Sequence, residues 1–152
     1  MPYDVRVVAN KLLDFANRDG EFLDPMKIQK LVYVSHGWFL ALFGEPLISQ
    51  SVEAWKYGPV IPVLYDQFKS FRASPVTSKA SAPNGAETLG VPQEQLLDAV
   101  WKKYRPLTAM QLSVLTHEPG YAWDLTMKET GPFSIIRNEL IRDEFMRRKQ
   151  RQ

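Results

Sequence analysis

The sequence predicts a mainly α protein: a compact helical domain around a buried central helix, with at most a small β-hairpin. Three observations carry this. Two N-terminal stretches follow a 3.6-residue apolar period and bring their own start and stop signals. The second of them is apolar on almost every side from Leu31 to Phe43, a pattern a helix shows when other elements surround it. The clearest extended stretch, Ser51 to Trp55, is short and runs straight into Gly58-Pro59.

The first helix is expected over Asp4–Arg18, with Val5, Val8, Ala9, Leu12, Leu13, Phe15 and Ala16 on the period, Asp4 as cap and Asp19-Gly20 as stop. Asp24-Pro25 starts the second, and Gly44 ends it after Phe43. Lys27, Gln29 and Lys30 give its first turns a polar face. Gly37, in its middle, costs about 1 kcal/mol relative to Ala; close approach of another backbone beside Trp38 would offset that. A third helix is expected over Val60–Phe71, with Leu64, Tyr65, Phe68 and Phe71 on one stripe. Residues 73–91 read as a variable, mobile loop, where Val76 is a candidate to pair with Ser51–Trp55. Pro92–Tyr104 is a fourth helix. Thr108-Ala109-Met110-Gln111 has the capping-box spacing and opens a short fifth. Trp123 follows Pro119-Gly120 on a further short helix or turn. A last helix is expected from Phe133 or Ser134, with Ile136, Leu140, Ile141 and Phe145 inward, ending in a basic, fraying tail at 146–152.

With 152 residues and 45% hydrophobic content, the chain is long and apolar enough for one domain with a real core. It has no cysteine, which excludes disulfides and thiolate metal sites and fits a reducing compartment. No secretory signal precedes the first helix, and no apolar stretch reaches the ~20 residues of a membrane span, so a cytoplasmic protein is expected. Net charge is +2, and its excess lies in the last 19 residues; the remainder is near neutral. A nucleic-acid binder carries a basic face with reading elements, and the chain offers no convincing helix-turn-helix.

The chemistry-bearing inventory is thin. His36 lies in the apolar half of the second helix and reads as a buried neutral histidine sharing a hydrogen bond. His117 sits at a helix end and reads as a cap or packing group. The two stand in no metal-binding spacing, and no nucleophile elbow, phosphate loop or dinucleotide fingerprint is present. No catalytic residue, metal or cofactor is expected. An unrecognised enzyme using His36 or His117 with a carboxylate, and a DNA-binding regulator of its own operon, are the competing readings.

The richest stretch is Ala54-Trp55-Lys56-Tyr57-Gly58-Pro59-Val60-Ile61-Pro62. Gly58 takes φ > 0 at little cost, Pro59 restricts the residue before it, and Pro62 suits the first turn of a helix. One reading is a structural corner; the other adds a partner-binding surface, with Trp55, Lys56, Tyr57 and Tyr65 as contacts.

The order Lys27-Ile28-Gln29-Lys30-Leu31-Val32-Tyr33 through His36-Gly37-Trp38, then Gly44-Glu45-Pro46-Leu47, then Glu53 to Pro62, then His117 and Trp123, resembles the Panacea domain family of phage-associated proteins. The resemblance covers most of the chain, and implies an antitoxin of a bacterial or prophage toxin–antitoxin operon. It implies His36, Gly37, Trp38, Gly58, Pro59, Pro62, His117 and Trp123 as the structural motif. It implies a cognate toxin encoded nearby as partner, neutralised by direct binding. In a SocA-type branch, a Clp-type protease also takes part, the antitoxin acting as its adaptor.

Overall fold

The computed structural model describes residues 2–152. They form seven α-helices: α1 (Val5–Arg18), α2 (Pro25–Phe43), α3 (Pro62–Phe68), α4 (Val91–Tyr104), α5 (Ala109–Thr116), α6 (Ala122–Glu129) and α7 (Asn138–Gln150). Two short strands, β1 (Glu53–Trp55) and β2 (Gly58–Val60), make one antiparallel hairpin. The fold is mainly α, as the periodicity dictates.

The local signals act where the sequence places them. The Asp4 carboxylate accepts from the Arg6 N–H and the Asp24 carboxylate from the Lys27 N–H. Gly44 stops α2 in the left-handed region at φ 71°. Thr108 and Gln111 exchange both capping-box hydrogen bonds at the start of α5.

Helix α2 is the axis of the molecule. Every residue from Ile28 to Ala41 is buried, and α1, α3, α4, α5, α7 and β2 all pack against it. Gly37 admits an aromatic ring rather than the expected backbone: a Cβ there would lie 2.2 Å from the Phe145 ring of α7. Phe145 also meets Tyr33 and Trp38 edge-on, with centroids 5.8 and 5.3 Å away. The Trp38 N–H donates to the Tyr104 hydroxyl at 2.9 Å.

Several boundaries differ from expectation. β1 pairs with β2 across the corner, with Trp55 opposite Gly58, instead of with Val76, whose N–H donates to the Leu23 carbonyl. α3 therefore starts at Pro62 and ends in a 3-10 turn over Lys69–Phe71. Leu64 and Phe68 face inward from it, while Tyr65 faces out. After a turn at Phe133, residues 134–136 run along the free edge of β1; Phe133 and Ser134 exchange backbone hydrogen bonds with Ala54 and the Ile136 N–H donates to the Val52 carbonyl, so α7 begins only at Asn138. The segment 73–90 has no regular structure, but Asn10 clasps Ala80 by two hydrogen bonds (2.7 and 3.0 Å), and Val76 and Ala80 are buried. The basic end is helical as far as Gln150. Arg147 donates to the Gly120 carbonyl, Arg148 to Glu144 and the Leu115 carbonyl, and Arg151 to the Tyr121 hydroxyl. Among the described residues, no helix is long and apolar enough to cross a membrane.

Candidate partner-binding face

The polar face expected at the start of α2 is not a solvated one: Gln29 and Lys30 are buried and bind the backbone of the corner. Gln29 donates from Nε2 to the Ile61 carbonyl (3.0 Å) and accepts the Ile61 N–H on Oε1 (2.9 Å), as a strand neighbour would. Lys30 donates from Nζ to the carbonyls of Tyr57 and Pro59, both at 3.1 Å. No ion pair compensates its charge among the described residues, and burial pulls its pKa down to about 8. A missed signal was available. The helical neighbours of Gln29 and Lys30 at i+3 and i+4 are Val32, Tyr33 and Val34, so both polar residues lie within the apolar surround rather than opposite it.

Other helices add to the hold on the turn carbonyls. Trp123 of α6 donates from its indole N–H to the Trp55 carbonyl at 2.7 Å, and Ser113 of α5 donates to the Tyr57 carbonyl at 3.1 Å. His117, at the C-terminal end of α5, packs against Trp123 with ring centroids 4.1 Å apart and planes tilted by 55°, and brings Nε2 to 3.4 Å from the Lys56 carbonyl. Gly58 sits at φ 115°, where a side chain is strained, and a Cβ there would stand 2.7 Å from the Lys30 ammonium. With the backbone of the turn bonded inward, the side chains of Lys56 and Tyr57 point out; Tyr57 is 62% exposed.

The four expected contact residues come together. Trp55, Lys56, Tyr57 and Tyr65 all line one groove of about 410 Å³, which Phe133 and Arg72 complete. Trp55 packs edge-on against Tyr65 and Phe133, with centroids 5.0 and 5.6 Å away. Phe133 (φ 65°) and Arg72 (φ 55°) are the two non-glycine residues with left-handed backbone among the described residues. Strain of this kind persists only where the surroundings enforce it, and here both cases lie on the same groove. Neither residue was nominated from sequence, because no local pattern announces a positive φ at Arg or Phe.

Tyr57 also borders a second, larger groove of about 1020 Å³ between α4, α5 and α7. Leu107, Val114 and Leu115 line it, together with Lys103, Arg148 and Arg151.

The motif residues divide between these surfaces and the core. His36 is buried. Its Nδ1 accepts the Leu47 N–H at 3.2 Å, so the proton sits on Nε2, which donates to Asn138 Oδ1 at 3.0 Å. Burial pulls its pKa down to about 4. Gly37 and Trp38 form the Phe145 contact, Pro59 and Pro62 frame the turn, and Trp123 props it from below. His117 lies half-buried beside the larger groove, but its ring contacts carbonyl oxygens and Trp123, with no carboxylate among its hydrogen-bond partners. Glu144 was not foreseen: buried on α7, it accepts from the Tyr33 hydroxyl (2.9 Å), the Ala122 N–H and Arg148. Burial pushes its carboxyl up, against the pull of Arg148.

Comparison with known proteins gives two matches. A family model described as Antitoxin SocA-like, Panacea domain, matches residues 28–124. Antitoxin SocA of Caulobacter vibrioides (strain NA1000 / CB15N) is 32% identical over 136 residues, covering 84% of this chain and 72% of that protein. No solved structure matches.

Proposed function

The chain belongs to the SocA-like antitoxin family with its Panacea domain, and from that premise we propose that it is the antitoxin of a toxin–antitoxin pair, silencing its toxin by direct binding. The contact is the aromatic groove at the hairpin. The observation that carries this reading is the way the turn is held. Side chains from α2, α5 and α6 bond its carbonyls from inside, so Tyr57, Trp55 and Tyr65 are presented on a fixed backbone. Tyr and Trp held this way lose little conformational freedom on binding and serve as interface anchors, contributing about 2 kcal/mol or more each when fully desolvated.

Such a surface needs no reacting group; occluding the toxin is enough. Delivery of the bound toxin to a Clp-type protease would use the same contact, and is distinguished by whether toxin half-life falls when the antitoxin is present. Residues 73–91 reach the groove only through Arg72 at their base, and tune partner choice from there.

Co-expression with the toxic product of a neighbouring gene, followed by co-purification, tests the reading. Wild-type chain rescues growth and carries the toxin through purification. Tyr57→Ala, folded to the same melting temperature, loses at least about tenfold in affinity. Undiminished rescue by Tyr57→Ala and Tyr65→Ala together rejects the groove as the contact.

A further inference from the structure

Both grooves that meet at Tyr57 carry cations that have no ion-pair partner among the described residues. Arg137, Arg142, Arg147 and Lys149 also make no ion pair among the described residues but line neither groove; most other cations outside the grooves are neutralised by neighbours: Lys11 pairs with Glu94, Lys79 with Asp14, Lys102 with Asp98, and Lys128 with Asp124. Around Tyr57 they are not. Among the described residues Lys56, Arg72 and Lys103 make no ion pair, and buried Lys30 adds a fourth uncompensated charge beneath them. Lys56 lies 5.4 Å over the Tyr57 ring, and Lys103 lies 4.9 Å over Trp38. Each therefore rests on an aromatic face with its ammonium available to an incoming anion.

The smaller groove has no carboxylate in its lining. The larger has one, Glu118, against Lys103, Arg148 and Arg151. Glu144 behind the wall is already taken up by Arg148, Tyr33 and Ala122, and leaves the lining with an excess of positive charge. The floors are apolar and aromatic: Trp55, Tyr65 and Phe133 on one side, Leu107, Val114 and Leu115 on the other, with Val114 67% exposed and Phe133 66% exposed.

We propose that this face takes an acidic, apolar segment of a partner protein, which crosses Tyr57, seats aromatic or aliphatic side chains in both grooves, and sets carboxylates against Lys56, Arg72 and Lys103. This rests on the reading of the hairpin groove as the toxin contact, and names the chemistry of what enters it. A nucleic-acid strand is the poorer fit. Its phosphates need a cationic track, whereas here the cations stand around apolar floors, Glu118 stands on one wall, and Arg148 and Arg151 are bonded to groups of the chain itself. Charge at the rim also steers association and disfavours wrong partners, a use suited to a surface that must choose one polypeptide.

The test is selection of a displayed random 16-residue peptide library on the purified full chain, with counter-selection on Tyr57→Ala. Enriched peptides are expected to combine Asp or Glu with Leu, Phe or Trp. Their affinity is expected to fall about tenfold on each of Lys56→Glu, Arg72→Glu and Lys103→Glu, and to weaken as salt rises. Selection repeated on the triple charge reversal is expected to enrich basic–apolar peptides instead. These side chains are exposed, and unchanged circular dichroism and melting temperature exclude misfolding as the cause. Neutral or basic peptides from the wild type, no enrichment over Tyr57→Ala, or a single-stranded oligonucleotide that binds and competes, each overturns the acidic-segment proposal. The co-purification experiment separates this failure from that of the underlying reading. If toxin binding needs Tyr57 but ignores all three charge reversals, the groove stands and the acidic chemistry falls. If toxin binding ignores Tyr57, the groove itself is wrong.

Discussion

The two halves of α2 bury themselves by different means. From Leu31 onward the helix is held by packing, and its tightest point is Gly37 against the Phe145 ring. Near its start Gln29 and Lys30 are buried as well, but there they fasten a neighbouring backbone by hydrogen bonds. Packing positions whole helices and tolerates little change of volume. Hydrogen bonds from long side chains position a few peptide groups and leave the outer side chains free to face a partner. One helix thus serves as scaffold at one end and as site support at the other, and the two ends should fail differently.

The largest effect is expected at the packed end. Gly37→Val drives a branched side chain into Phe145 and should cost about 3 kcal/mol or more in urea denaturation. Paired with Phe145→Ala, the loss should be clearly smaller than the sum of the two single losses, since each change removes the other's clash or cavity. Additive losses would mean that the ring is not what Gly37 accommodates.

Next comes acid sensitivity, also at the packed end. With a folded pKa of about 4 against 6.5 unfolded, His36 binds its proton more readily in the unfolded chain. A protonated ring would set an N–H against the Leu47 N–H. Its contribution is intact at neutral pH and is lost as pH falls through 6.5 toward 4, by about 2 kcal/mol at pH 4.5. Comparing unfolding free energies at pH 7 and pH 4.5 for wild type and His36→Gln checks this: the variant should lose that part of the pH dependence.

The hydrogen-bonded end should show the opposite window. Lys30 has a folded pKa of about 8 against 10.5 unfolded. The folded state is therefore penalised below pH 8 and relieved as pH rises from about 8 toward 10.5, a gain of about 1 to 2 kcal/mol by pH 9.5. Lys30→Met should erase that alkaline rise. It should change stability at pH 7 by only about 1 kcal/mol, because the lost hydrogen bonds are offset by removing a buried charge. Toxin affinity should fall more than stability does, as the turn loosens. The smallest effect is expected outside the clamp: Tyr57→Ala should move unfolding by about 0.5 kcal/mol or less, its effect appearing in binding alone.

Much of this was legible in the chain. Asp4, Asp24-Pro25, Gly44 and Thr108-Gln111 act through hydrogen bonds within a few residues, and such signals do not depend on the rest of the fold. The all-round apolar run after Leu31 required a central helix. What went unread has a common cause. The 133–136 segment looked like the opening of a helix because its alternative partner, the edge of β1, is some eighty residues earlier in the chain. Phe133 and Arg72 gave no cue because their backbone strain is imposed by contacts formed after folding.

The sequence by itself determined where α1 and α2 start and stop and where α5 starts, that one helix is central, and that the Trp55–Pro62 stretch turns sharply and carries aromatic candidates. These follow from dihedral preference, capping and period, all of which act over short range. Tertiary structure alone decided which backbone groups Lys30 and Gln29 would clamp, that four aromatic and cationic side chains would share one groove, and that Tyr57 would stand between two. A side chain's role depends on which distant backbone is brought within about 3 Å of it, and only the packed fold sets that distance.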